Sequence, residues 1–333
     1  MNTRKLQRVG GGTYTVSIPK EWAERHGLEA GVDVHLYTHD DGSIVLRGSE
    51  RDGGHLDEAV VEFEAPDPTA LERSLVALHA AGFETVTLSA PGLTDADRRA
   101  LRSAARSLVG AEVVEVSEGR ARVRTLLDAA NVSVPQSVVQ LQYVALSIHR
   151  RATAALVDAE DGAHVRLAER DDEADRLFAI VSRHFNRSLS SFEELDNLGT
   201  SRPELFDYHV TARQLERVAD HGVGIADLAD DLGDQPPPDV AADLERTADA
   251  ARGAVDDATT AIVDEADAGA ARDTLDRCDE AVADVAAVRD SIDGATEGGI
   301  ALVRALDLVE RTAECGRNVA EAAVRAAMRE RNA

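Results

Sequence analysis

Lysine is almost missing from this chain: Lys5 and Lys20 are the only two among 36 basic residues, against 62 acidic ones. Aromatic side chains make up only 3% of the 333 residues. Cys278 and Cys315 are the only cysteines, too few for a disulfide framework and at ease in a reducing cytoplasm. No window approaches 18 uncharged apolar residues, so no membrane-spanning helix is expected. The opening MNTRKLQRVGGGTYT has no apolar signal-peptide core, and a cytoplasmic protein is expected. Gly10-Gly11-Gly12 is not followed by Gly-Lys-Ser/Thr, which excludes a phosphate-binding P-loop and leaves a hairpin loop or a close backbone approach to DNA. Nucleophile-elbow, dinucleotide-binding and kinase motifs are also missing, so nothing points to covalent or hydride chemistry.

What remains is acidic and rich in alanine. The formal net charge is −26, yet 44% of the residues are apolar, enough for real cores. An acidic, lysine-poor surface suits a cytosol of molar salt, so a halophilic source is expected and the charge speaks of solubility. The length suggests two or three domains.

Three regions differ in pattern, and together they predict a multidomain α+β protein. Residues 1–50 read as a small β unit. Val16 and Ile18 alternate with polar neighbours before Pro19, KEWAERHG makes a short helical turn, and Val32, Val34 and Leu36 alternate again. An Asp41-Gly42 turn leads into Ile44–Leu46. About 50 residues bury too little core to stand alone, so a homodimer is expected. Residues 55–130 read β-α-β-α-β-β, a small α/β domain, with Thr94 capping the second helix. From Ser137 the period is helical, broken by GDQPPPD at 233–239. Two antiparallel three-helix units, 137–232 and 240–330, account for it.

Those units look like copies. LERVADHGVGIAD (215–227) lies over VERTAECGRNVAE (309–321) with identities at Glu216/Glu310, Arg217/Arg311, Ala219/Ala313, Gly222/Gly316 and Ala226/Ala320. DDEADRL (171–177) lies over CDEAVAD (278–284). The first alignment is offset by 94 residues and the second by 107, so the first copy holds 13 extra residues, placed around SSFEELDNLGTSRP.

Two constellations carry chemistry. Residues 1–27 hold Arg4, Lys5, Arg8, Lys20 and Arg25 against Glu21 and Glu24, a net of +3 inside an acidic chain. Such a patch suits phosphate neutralisation on DNA, or it is merely a basic N-terminus drawn to the acidic bulk. In the helical region Glu216 and Asp220 stand at i and i+4 on one face and could share a hard cation. This composition yields about a dozen such pairs by chance, so recurrence at Glu310/Glu314 is the added signal. Asp171 and Asp175 on the preceding helix could complete the first site; Cys278 and Val282 replace them in the second copy. Clustered carboxylates could also hold two catalytic ions of a hydrolase. His35-x-x-x-His39 has a zinc-like spacing but lies across a strand and a turn, with no glutamate base between. Cys315 beside Gly316 reads as a small core residue.

The segment RKLQRVGGGTYTVSIPKEWAERHGLEAGVDV resembles the AbrB/SpoVT-type swapped-hairpin DNA-binding domain, although Thr15 stands where an arginine is often found. The duplicated LERVADHG and VERTAECG resemble the Glu-x-x-x-Asp/Glu helix motif of the PhoU family of phosphate-signalling proteins. The order of the two modules resembles that of archaeal proteins that join them. The resemblance implies interlaced hairpins in a homodimer, with Arg4, Lys5, Arg8 and Lys20 presented to promoter DNA. It also implies a divalent or ferric ion (Mg, Mn or Fe) at Asp171, Asp175, Glu216 and Asp220, and at Glu310 and Glu314. The implied role is non-enzymatic control of phosphate uptake, with a phosphate transporter or its signalling partner as the other contact. The alternative is a metal-dependent adaptor that docks on the transporter while the N-terminal domain only dimerises.

Overall fold

The computed structural model describes residues 3–10, 12–38, 42–48, 56–232, 234–292 and 298–331. It divides into two compact units, 1–54 and 55–333.

The first unit holds two hairpins and a short helix. β1 (Gln7–Val9) pairs antiparallel with β2 (Thr13–Thr15) across the turn at Gly10, whose φ of 67° only glycine adopts without strain. α1 (Lys20–Arg25) follows Pro19, which fixes the chain for helix entry. β3 (His35–Thr38) pairs with β4 (Ile44–Arg47). The strands thus sit elsewhere than the alternation of Val16, Ile18, Val32 and Val34 indicates: 16–19 and 32–34 belong to no strand. Two-residue alternation marks one-sided exposure but not which residues find a hydrogen-bonding partner. Asp41 and His39 lie outside the described residues. None of the described residues before 49 is buried, and Leu6, Val9, Tyr14, Val16, Ile18, Val32, Val34, Leu36 and Ile44 are all exposed. Among its described residues, one copy of this unit has no hydrophobic core.

The second unit begins with the expected β-α-β-α-β-β order. β5 (Glu58–Glu62) runs parallel to β6 (Thr85–Ser89), joined by α2 (Pro68–Ala80); α3 (Asp95–Ser107) leads to β7 (Ala111–Val116) and β8 (Arg120–Thr125). The sheet order is β5-β6-β8-β7, with β8 antiparallel to both neighbours. Asp67 caps α2 through the backbone N–H groups of Thr69 and Ala70. Thr94 and Asp97 cap each other's backbone at the start of α3, a reciprocal arrangement that ties down two orphan donors. Leu71 and Leu75 of α2, Leu101 and Ala105 of α3, and Val86, Leu88 and Val123 of the sheet form the core between the helices and one sheet face.

The helical region contains α4 (Val134–Asp158), α5 (Ala163–Ser188), α6 (Phe192–Leu198), α7 (Arg202–Leu232), α8 (Pro238–Val263), α9 (Ala268–Ser291) and α10 (Gly299–Glu330). α4, α5 and α7 are the first copy, and α8, α9 and α10 the second. The copies are not independent bundles: α7 packs on α10, α4 on α8, and one continuous core runs through both. Glycine marks the equivalent crossing in each. A Cβ on Gly222 of α7 would lie 2.8 Å from Ile148 Cγ2 and 3.0 Å from the backbone of His149 on α4. A Cβ on Gly316 of α10 would lie 3.0 Å from the backbone of Ala254 and Val255 on α8. Both helix pairs meet backbone to backbone, and any larger residue would push them apart. The extra residues of the first copy form α6 and its flanking turns.

α6 helps to join the helical region to the α/β layer. Arg187 of α5 donates to Glu194 of α6 at 2.8 Å, to the carbonyl of Gly82 at 2.8 Å and to Glu84 at 3.4 Å. Arg183 donates to the carbonyls of His79 and Phe83 at 2.5 and 3.0 Å, and Asn186 to that of Ala80 at 2.9 Å. Three side chains of α5 therefore satisfy carbonyls at the end of α2, where the helix dipole is negative.

Candidate functional site

The four carboxylates expected at the first copy do come together, two from each of two packed helices. Asp171 and Asp175 stand on α5, Glu216 and Asp220 on α7. Burial pushes the Asp171 carboxyl up to about 7, with further lift from Asp175, Asp220 and Glu216. Burial also raises Asp175 and Glu216, each lifted further by Asp220. Asp220 is raised by burial while Arg213 and Arg217 pull it back. Among the described residues one cation makes a close pair here: Arg213 donates to Glu216 Oε1 at 3.0 Å. Asp171 Oδ1 and Glu216 Oε2 are buried without a hydrogen-bond partner. Orphaned oxygens among mutually repelling carboxyls are the donor chemistry a hard cation takes. Among the described residues, however, no three His, Cys, Asp or Glu side chains converge on one point as they stand. The uncompensated charge would favour a cation, but as they stand these carboxylates form no group that could hold a metal ion.

The second copy is different. Glu310 pairs closely with Arg289, which also faces Asp307 at 3.4 Å. Glu314 lies 4.0 Å from Arg317, which faces Asp279 at 3.8 Å. Cys278 is buried, its thiol pushed up to about 12 by burial and directed at the Ala254 carbonyl 3.7 Å away. Guanidinium groups already neutralise the Glu310/Glu314 pair, so the expected second ion site does not share the charge imbalance of the first. The alignment matched the carboxylates but not the charge beside them: Arg289 comes from α9, and Arg317, three residues after Glu314 on α10, stands where the first copy has Val223.

In the N-terminal unit, Arg4 and Lys5 precede β1 and are exposed. Arg8 on β1 faces Tyr14 across the hairpin. Lys20 opens α1 and pairs with Glu24 at 3.5 Å, so its charge is partly compensated. Arg4, Lys5 and Arg8 thus share one short segment, while Lys20 belongs to another element.

Sequence reading missed the buried polar contacts. Arg252 of α8 reaches His149 of α4 at 3.0 Å and Thr153 at 3.3 Å, inside the seam between the copies. His221 of α7 bonds Thr312 of α10 at 3.1 Å across the same seam. His184 contacts Glu194 at 2.5 Å. A histidine on an apolar helical face was the available signal at His149 and His221.

Comparison with known proteins bears on both regions. Residues 7–51 match the family model for antidote-toxin recognition MazE, bacterial antitoxin. Residues 138–229 match the PhoU domain. The second match spans α4 through most of α7, the first copy, and includes all four clustered carboxylates. Among solved structures, the crystal structure of PhoU from Pseudomonas aeruginosa is 19% identical, covering 59% of this chain and 95% of that one at a TM-score of 0.44. No curated protein matches the chain. Among the described residues, no helix is long and apolar enough to cross a membrane.

Proposed function

We propose that this chain is a non-enzymatic, cytoplasmic regulator of phosphate uptake that reads DNA through its N-terminal unit and docks or senses through its helices. The observation that carries this reading is the joining, in one chain, of a MazE/AbrB-type segment to a PhoU domain. A second copy would cover the exposed apolar residues of the first unit and double the cationic segment of Arg4, Lys5 and Arg8. The helical region would contact a phosphate transporter or its signalling partner. Asp171, Asp175, Glu216 and Asp220 would hold a divalent or ferric ion. That ion would supply the positive charge missing between α5 and α7, and loading it would change how tightly the two helices are held together.

The test is binding to the chain's own upstream DNA across a series of salt concentrations. Each phosphate contact contributes about 0.9 to the slope of log K against log salt. Replacing Arg4, Lys5 and Arg8 by alanine removes up to six cations per dimer, so the slope should fall by up to about 5. An unchanged slope, with the circular dichroism spectrum intact, would sink the DNA reading and leave the adaptor role.

A further inference from the structure

The helical region contains a cavity of about 320 Å³ at the end opposite the turn between α7 and α8, and nothing in the proposed function uses it. Its walls come from the first turns of α7, the last turns of α8 and the last turns of α10. Most of the lining is methyl: Ala261, Ile262 and Ala266 from α8 and the turn after it, Ala323, Ala326 and Ala327 from α10. The polar lining is dominated by one sign, with Glu204, Asp207, Glu265 and Glu330 facing the single cation Arg329. Two helices end at the cavity and one begins there, so the backbone dipoles add net negative potential.

Asp207 is the feature that distinguishes this cavity from an acidic surface cleft. Only 5% of its side chain is exposed, although the residue forms part of the wall. One carboxylate oxygen, Oδ2, is held by Arg329 in a close ion pair; the other, Oδ1, is buried with no partner. Burial lifts the Asp207 carboxyl above its ordinary range even with that guanidinium beside it. Arg329 is the penultimate residue of α10, and its side chain is 42% exposed. The carboxylate seat is therefore filled by a long side chain from a helix end, where ordering is weakest.

We propose that this cavity is a binding site for a small alkylguanidinium or alkylamine, which seats its cation on Asp207 in place of Arg329 and its methylene arm against the alanine walls. The volume lies at the small end of the range for ligand pockets. A methylene-bearing cation matches both halves of the lining, whereas a hydrated metal ion would gain nothing from the methyl walls. Tyr208 also lines the cavity and offers a hydroxyl beside the seat. Arg329 itself shows the chemistry the seat accepts: a planar fork able to meet a carboxylate.

Isothermal titration of the full-length protein with agmatine and with putrescine tests the proposal, with magnesium chloride and a neutral alcohol of equal length as comparisons. One of the two amines should bind the wild type, while magnesium and the alcohol should not. Arg329→Ala should tighten that binding by about tenfold or more, because the competing side chain is gone and the seat is free in every molecule. Asp207→Asn should abolish it. If that variant fails to fold, Ala326→Leu fills the cavity without touching the carboxylate, and it should abolish binding while keeping the melting temperature. Neither amine binding to wild type or to Arg329→Ala would overturn the proposal. So would binding that survives both Asp207→Asn and Ala326→Leu, or binding by the alcohol as strong as by the amine.

Discussion

If the N-terminal unit dimerises as proposed, replacing Leu36 by Asp should split that dimer while leaving the helical region folded. Leu36 is 61% exposed on β3 and pairs in register with Leu46 on β4; Ile44, opposite Thr38 on the same face, is 66% exposed. Burying one such side chain contributes roughly 1.5–3 kcal/mol relative to leaving it in water. A twofold pair buries both copies, so the loss per dimer is about 3–6 kcal/mol before the penalty for an interfacial charge. At about 1.4 kcal/mol per decade, the dimer should weaken by roughly a hundred- to ten-thousand-fold. Light scattering during gel filtration over a range of micromolar concentrations reads this directly. Wild type should have the mass of a dimer and Leu36→Asp that of a monomer, with the helical signal unchanged because both large cores lie after residue 55. Val165, 55% exposed on α5, provides the control: Val165→Asp should leave the mass at the dimer value. A monomeric wild type, or a Leu36→Asp protein that stays dimeric, would refute the reasoning that exposed apolar strands here await a second copy.

Other perturbations test the helical region. Arg187→Ala strips Glu194, whose side chain is 5% exposed, of its closest arginine and should cost about 3–5 kcal/mol in urea unfolding; adding Glu194→Gln should recover a clear part, and strict additivity would show that the two are not coupled. Burial, assisted by Arg183, Arg252 and Arg311 respectively, holds His79, His149 and His221 at about 4, 3 and 4. The unfolded chain takes up these protons near 6.5, so stability is complete above that pH and falls as pH drops toward 4, by up to about 3 kcal/mol for each histidine. A melting temperature that is flat between pH 7 and 4.5 would contradict that burial. Glu216→Gln with Asp220→Asn should lower the manganese retained after dialysis and abolish any manganese-induced rise in melting temperature; unchanged metal content with a slightly higher melting point would make the four carboxylates an ordinary acidic surface.

Much of the second unit was legible because its signals are local. The β-α-β-α-β-β order follows from alternating strand and helix periods, and the Thr94 cap from a threonine before an acidic first turn. The 13-residue excess of the first copy was readable as a difference between two alignment offsets, and α6 with its turns is what it builds. The first unit was harder. Val16, Ile18, Val32 and Val34 carry the strand-like pattern yet make no ladder in one chain, because alternation reports which residues want a neighbour and not which neighbour supplies the hydrogen bonds. The buried contacts of Arg183, Arg187 and Arg252 were invisible for another reason: an arginine that caps a distant helix looks the same, in sequence, as one in solvent.

The unequal fate of the two carboxylate pairs follows from that same blindness. Both copies keep the glycine crossing and the Glu-x-x-x-acid spacing, since these are set by how the third helix lies against the first. Helix crossing leaves the charge opposite the carboxylates free to vary. In the second copy Arg289 and Arg317 supply it from within the chain, and the pair becomes part of an ion-pair network. In the first copy Arg213 meets one oxygen of Glu216, while burial raises Asp171 and Asp175, with Asp220 adding to both and Asp175 to Asp171. A duplicated fold can therefore leave the carboxylates uncompensated in one half and paired with arginines in the other. What separates the halves is charge: Arg289 reaches Glu310 from α9, and Arg317 follows Glu314 where the first copy has Val223.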